Sequence, residues 1–571
     1  MKMFFTNYKM FVLFLLIAFQ SCKKDNLDVL DPNDLENEVL TNAPFGAVFF
    51  AQTHVRQPEE NDFKLVSSKE ALIKVNMISN TGENAPVVKA ILTLNGTSET
   101  LILSGPSTLS EPIDLRPGFI EHKFGNSFTA IIPKQWMQPG LTVEIQAGDE
   151  SINFDSLKFG APNKIIMNMF DAHFFASTPG DYPMGWKEEI QSKLPVSEIE
   201  LRRLPNIIFS ELTIPPRADV SAPAARVSSK EGYQTITGSS FDGEQGAAAQ
   251  WNGALKAASG TKGRYALFYV NIYGVPSGGQ AGGFGGVGNG KSLGIFNHEL
   301  GHALSLPHWG NNKDYPYRGD MFGISAPEVF NDVHVGPTWA FDLDKNVFIP
   351  PTVQANAVGG DLGTYKKDPM QGGGTGDQEE GFLIRHFSDY SINKIQNFLE
   401  EHIVIQNEDS GVFSSWDATT KTYTNNMDNN GVQFPLEKDT QVISIMAGVS
   451  AVTPQATILY PPIGPYQSGI IDLFDPAIEA DRSKAASIYC PNGGCDVSLK
   501  IVQNGQTRIV MLPIAMDAGA DPLKSNSFKT RAVNLRATDG EVTMVELLGT
   551  PDAEINGIPS SPEVLYSWSN Q

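Results

Sequence analysis

The chain has 571 residues, and at roughly 150 residues per domain that length accommodates three or four domains. Hydrophobic residues make up 41% of it and charged residues 19%, which excludes a disordered tail and permits buried cores. The net charge is −22 and no stretch gathers Lys and Arg into a basic stripe, so nucleic acid is excluded as a partner.

The first 22 residues have the layout of an export signal. Lys2 and Lys9 give a positive start, Met10 to Phe19 is an unbroken apolar run, and Ser21 precedes Cys22. The run is too short to span a bilayer stably. A Cys placed after an apolar run and a small residue predicts a bacterial lipoprotein, lipidated at Cys22 and anchored in the outer membrane or at the cell surface. Phe19 departs from the Leu usual at that point of a lipobox, and a plain secretory signal is the alternative. Residues 23–44 follow as an acidic tether. No second apolar stretch approaches membrane-spanning length, so membrane contact is predicted through the N-terminal lipid only.

Residues 45–160 alternate short apolar runs with Gly, Pro and Asn, as in AILTLNG and LTVEIQAG. Period-two runs broken by turn residues predict an antiparallel β-sandwich. Residues 161–418 change character. KIIMNMF and YALFYVNIYG have the continuous apolar pattern of buried strands, while WKEEIQSKL and YSINKIQNFLEEHI have the amphipathic pattern of helices. From 419 to 571 the chain is strand-like again, as in TQVISIMAGVS and TRIVMLPI. The fold class is therefore multi-domain α+β.

Within the mixed region, Gly285 to Ser292 fits the phosphate-cradling pattern G-x-x-x-x-G-K-S, and Gly283 to Gly288 fits G-x-G-x-x-G. So many glycines crowd Gly278 to Gly290 that such matches come cheaply, and an exported chain rarely meets ATP. We expect no nucleotide partner, and a flexible loop flanking a cleft.

The chemistry-bearing segment follows at once, GIFNHELGHALSLPHWG. His298, Glu299 and His302 form H-E-x-x-H on an apolar helix pattern. Residues i and i+4 share a helix face, about 6 Å apart along the axis. Two imidazoles so placed can converge on one zinc ion, which binds His nitrogens at about 2.0–2.1 Å and, when catalytic, uses three protein ligands and a water. Glu299, beside the first ligand, can take that water's proton. His308 lies beyond Pro307, where the chain must turn, and is the third candidate ligand. His334 is held in reserve. The full string has Ser305 where the metzincin pattern H-E-x-x-H-x-x-G-x-x-H has Gly, and that Gly supplies a backbone conformation most residues resist. Tyr315, Tyr317 and Arg318 are candidate oxyanion donors. Near the end, Cys490 and Cys495 in CPNGGC can bridge as a disulfide in an oxidising compartment or stand as two free thiols.

With these residues in view, the chain resembles the StcE/dictomallein family of secreted zinc metalloproteases. The resemblance extends beyond the zinc motif to AQTHV (Ala51 to Val55), IIPKQWMQPGL (Ile131 to Leu141), HVGPTWAFD (His334 to Asp342), DPMQGGG (Asp368 to Gly374) and FSDYSINKIQ (Phe387 to Gln396). It implies an N-terminal immunoglobulin-like β-sandwich, a metzincin-type zinc protease domain and C-terminal β-rich accessory structure. It implies one catalytic Zn2+ held by His298, His302 and His308, with Glu299 as general base. It also implies a Met-turn under the metal, for which Met370 is the choice and Met321 the alternative. The activity implied is peptide-bond hydrolysis, with mucin-like O-glycosylated proteins as a substrate class. A surface glycan- or protein-binding lipoprotein with a structural or vestigial zinc site is the alternative, and the Ser305 substitution is what favours it.

Overall fold

The computed structural model describes residues 45–570 apart from 80–82, 112–118, 176–182, 239–241, 262–263, 276, 322–331, 354–364, 372–380 and 491–493. The predicted export signal, the predicted lipidation site Cys22 and the predicted acidic tether lie outside the described residues. Among the described residues no helix is long and apolar enough to cross a membrane.

Two four-stranded antiparallel sheets open the described chain. One runs Val55–Arg56, Phe45–Ala51, Ala71–Met77, Phe128–Ile132; the other runs Thr97–Ile102, Val88–Leu94, Thr142–Ala147, Glu150–Phe154. Period-two alternation decides what faces inward. Val88, Ala90 and Leu92 from one strand and Val143 and Ile145 from its neighbour meet Phe50, Ile73 and Val75 of the opposite sheet in a shared core. The outer face of the first sheet is buried as well. Phe49 and Leu72 pack there against Phe341, carried by a hairpin of Ala340–Asp342 and Val347–Ile349. Backbone bonds seal this contact: Phe341 N donates to Thr53 O at 2.8 Å and Val55 N to Trp339 O at 3.0 Å. Lys69 adds a buried tie, its ammonium donating to the carbonyls of Gln191 (2.7 Å) and Leu194 (3.1 Å) at the end of helix Trp186–Lys193. A cation suits that end of a helix, where carbonyls lack intrahelical partners.

The middle of the chain is built on one sheet, ordered Ile199–Arg203, Ile165–Phe174, Ala266–Tyr273, Gly285–Asn289, Gly279–Gly282. It is parallel except for the last strand. Its two central strands come from KIIMNMF and YALFYVNIYG, apolar throughout because both faces are covered. On one face Phe170, Phe268 and Val270 meet Trp251 and Leu255 of helix Asp242–Ala258, together with Val442 and Met446 from the C-terminal region. On the other, Met167, Met169, Leu267 and Tyr269 meet Phe296 and Leu300 of helix Leu293–Ala303 and Ile395 and Leu399 of helix Asp389–His402.

The C-terminal region is a second two-sheet structure. Glu437–Val449 pairs with Ile463–Ile470 and Lys529–Arg536, and these strands pack on a sheet ordered Gln506–Leu512, Val497–Gln503, Val542–Gly549, Glu563–Ser569. Ile445, Val533, Leu499, Ile501 and Val545 form the core between them. Cys490 and Cys495 are joined as a disulfide at a Cα separation of 5.4 Å.

The glycine-rich segment corrects an expectation. It forms the strands Gly279–Gly282 and Gly285–Asn289, not a flexible flanking loop. The reason is steric. A Cβ at Gly286 would meet the Tyr269 ring, one at Gly288 the Tyr269 hydroxyl, and one at Gly290 the Tyr273 ring. Glycine admits aromatic rings flat against this backbone, which the nucleotide-binding patterns do not require.

Candidate active site

Helix Leu293–Ala303 starts at Ser292, whose hydroxyl accepts from Ile295 N at 3.2 Å as an N-cap. Phe296, Leu300 and Ala303 enter the core. That orientation sets His298 and His302 one turn apart on the same strip.

Backbone carbonyls orient both rings. His298 Nδ1 donates to Pro369 O and His302 Nδ1 to Leu306 O, each at 2.7 Å. A carbonyl only accepts, so Nδ1 carries the proton and Nε2 keeps its lone pair. Burial, the larger effect, and the neighbouring imidazoles hold His298 down to about 4; burial also lowers His302. Both rings are therefore neutral at neutral pH.

His308 reaches them through a turn that the sequence departs from. Leu306 N donates to Gly301 O at 2.9 Å and Ser305 N to His302 O at 3.0 Å, the double bond of a Schellman helix end. The residue at its left-handed position is Ser305, at φ 78°. The Ser thus adopts the conformation for which Gly is usual, at a cost of about 1–2 kcal/mol. Beyond it, Trp309 N donates to Met370 O at 2.9 Å and the Trp309 indole to Ser391 Oγ at 3.0 Å. The outcome places His308 Nε2 3.0 Å from both His298 Nε2 and His302 Nε2.

Beneath the helix lies the short turn Pro369–Gln371. Met370 is fully buried against Gly301, where a Cβ would overlap its Sδ. Asp368 fixes the turn, its carboxylate accepting from Met370 N, Ser388 N and Ser391 Oγ, each at 2.8 Å. Burial still pushes its pKa up against those three donors. Met321 sits in another loop, where its carbonyl accepts from Tyr365 OH at 2.6 Å.

Three imidazole Nε2 atoms face one another here, and those of His298 and His302 keep their lone pairs. Such a donor set fits one cation, since tetrahedral zinc at about 2.0–2.1 Å separates its nitrogens by roughly 3.4 Å. His298, His302 and His308 are the residues that could hold it. His334 is committed elsewhere: Nε2 donates to Gly319 O and Nδ1 accepts from Gly336 N, each at 3.1 Å, and the ring stacks on Tyr365 at 4.1 Å.

Glu299 contrasts with the histidines. It is 5% exposed and its Oε2 has no hydrogen-bond partner. Burial raises its pKa to about 7. Its side chain lies against Gly279 of the edge strand, so closely that a Cβ there would overlap the carboxylate. The candidate oxyanion donors are occupied: Tyr315 OH donates to His334 O (2.6 Å), Tyr317 OH to Asp389 Oδ1 (2.7 Å), and Arg318 to the carbonyls of Trp309, Gly310 and Asn312. Asp368, Gly301 and Gly279 escaped the sequence reading. The first two lie inside quoted motifs, DPMQGGG and HELGH, and the third inside the glycine-rich run Gly278 to Gly290, where nothing distinguishes it from its neighbours.

Comparison with known proteins bears on the same region. Residues 122–404 match the Peptidase M66 family, a span containing the three histidines, Glu299 and Met370. Dictomallein of Burkholderia mallei (strain SAVP1) is 28% identical over 597 residues, covering 91% of this chain and 82% of the relative. Dictomallein of Burkholderia pseudomallei (strain 668) matches to the same extent. Dictomallein-2 of Dictyostelium discoideum is 27% identical over 600 residues, covering 91% of this chain and 95% of the relative.

Proposed function

We propose, from the premise that this chain belongs to the Peptidase M66 (StcE/dictomallein) family, that it is a zinc metalloendopeptidase of mucin-like, O-glycosylated proteins, attached to the outside of a bacterial cell through lipid on Cys22. The family makes it a protease with a protein substrate. The metal, the glycoprotein preference and the anchor are our reading.

The observation that carries it is the convergence of three imidazoles whose Nε2 atoms face one another, two of them held in the tautomer that leaves Nε2 its lone pair. Bound zinc supplies Lewis acidity, which polarises a carbonyl and lowers the pKa of water. The chain's own groups do the rest. His298 and His302 are held in the ligating tautomer by Pro369 O and Leu306 O. Glu299, with a pKa near neutrality, takes the proton of the attacking water and passes it to the leaving amine. The strand Gly279–Gly282 is the edge of the sheet and runs beside Glu299, so an extended substrate can add to it as a further strand. Met370 packs under the ligands as a Met-turn.

The test is an intact-mass cleavage assay on a mucin-type glycoprotein and its deglycosylated form. We expect cleavage that chelation abolishes, preference for the glycosylated substrate, and a loss of about 10²–10⁴ in turnover for Glu299→Gln. His302→Ala should lose metal along with activity. Stoichiometric zinc without cleavage of either form would favour the binding-lipoprotein alternative.

A further inference from the structure

Tyr269 lies in the strand Ala266–Tyr273, beside Gly286. Its ring is fully buried and meets Phe296 of the motif helix edge-on, at 4.9 Å between centroids. From there it crosses the strand Gly285–Asn289 over two glycines: a Cβ at Gly286 would lie 2.9 Å from the ring, and one at Gly288 would overlap the hydroxyl. Gly288 pairs directly with Gly279, and it is the Gly279 side that Glu299 occupies. Directly opposed residues of an antiparallel pair point to the same sheet face. The Tyr269 hydroxyl and the Glu299 carboxylate therefore share one glycine-lined slot under the motif helix.

Both are orphans there. Tyr269 OH and Glu299 Oε2 are each buried without a hydrogen-bond partner. One is a donor and the other, once ionised, an acceptor. Burial first and the Glu299 charge second hold the Tyr269 pKa well above its ordinary value, so the hydroxyl keeps the proton it would donate. A Phe would fill the same slot without burying an unsatisfied hydroxyl, so packing alone does not account for the oxygen.

We propose that Tyr269 is a positioning residue: its hydroxyl donates to Glu299 Oε2, directly or through one water, and so aims the other carboxylate oxygen at the substrate water. This inference rests on the metallopeptidase reading and assigns Tyr269 no contact with substrate or metal.

The experiment is steady-state kinetics of Tyr269→Phe in the full mature chain, with zinc content and thermal midpoint measured alongside. We expect kcat to fall about tenfold with KM and zinc stoichiometry unchanged and the thermal midpoint unchanged or higher. In Glu299→Asp, whose shorter carboxylate retreats from the hydroxyl, adding Tyr269→Phe should cost less than about twofold more. Wild-type kcat in Tyr269→Phe, where Glu299→Gln is inactive, would overturn the inference and leave the protease standing. So would an equal loss in both backgrounds, or a loss of zinc and thermal midpoint together with kcat. An inactive wild-type chain would instead sink the reading on which the inference rests.

Discussion

The two sides of helix Leu293–Ala303 treat their polar groups in opposite ways. On the side of the histidine cluster the framework is fastened: His298 and His302 by backbone carbonyls, Trp309 by Met370 O, and the turn beneath by the Asp368 carboxylate. On the side facing the edge strand, Glu299 Oε2 and Tyr269 OH are buried with no direct hydrogen-bond partner. The difference separates two requirements. Ligands to a cation must hold their geometry, and backbone bonds do that. A group that accepts and returns a proton must suit both protonation states, and leaving it under-bonded at low dielectric keeps its pKa near neutrality. The first arrangement adds to stability; the second subtracts from it.

Substitution at Glu299 breaks the comparison most sharply. In chelated protein Glu299→Gln should stabilise the fold at pH 8, by an amount on the order of 1–3 kcal/mol. The sign follows from a folded pKa of about 7 against an ordinary value of 4.5. Between those values the folded protein retains a proton that the unfolded chain has lost, so the burden of the charge grows from pH 4.5 to 7 and is complete above. The advantage of Gln should therefore be full above pH 7 and vanish below pH 4.5, as thermal melts of the pair across that range will show. A Gln variant less stable at pH 8 would mean that the contacts of the Glu299 carboxylate outweigh the cost of burying its charge.

A pair of glycines sharpens the comparison. Gly279→Ala intrudes on Glu299 and Gly301→Ala on Met370. The first should cost about tenfold or more in turnover with zinc retained, because it moves the base and not the ligands. The second overpacks a full core at about 1–3 kcal/mol, partly offset by about 1 kcal/mol of helix propensity, and should weaken zinc affinity with stability. Metal analysis and denaturant melts of the two proteins separate these outcomes.

Ser305→Gly is the smallest effect and lies wholly on the side of the histidine cluster. It relieves a positive φ and should stabilise the chain by about 1 kcal/mol without altering zinc content or turnover. A destabilised Gly variant would show that the Ser side chain supports the turn.

Much of this site was legible because its periods are local. H-E-x-x-H places two imidazoles on one helix strip whatever surrounds it, and Pro307 signals the turn that returns His308. The strands KIIMNMF and YALFYVNIYG were legible for a similar reason, as apolar runs too continuous to be half-exposed. Ser305 obscures the turn, because a sequence shows the absence of Gly but not the three bonds that hold Ser in a glycine's place. The glycine-rich run reads as a loop from its composition, which counts glycines without saying what fills the space they leave.

The sequence by itself determined the three imidazoles that could hold a metal and the helix that spaces two of them, since both depend on neighbours within about ten residues. Tertiary structure alone decided which Met lies under the helix, that AQTHV is joined by backbone bonds to Trp339 and Phe341, and that Tyr269 shares a slot with Glu299. Those facts depend on segments tens to hundreds of residues apart meeting across a core. The physical reason is that close packing and burial fix the conformation and pKa of a side chain, and neither is a property of its neighbours in sequence.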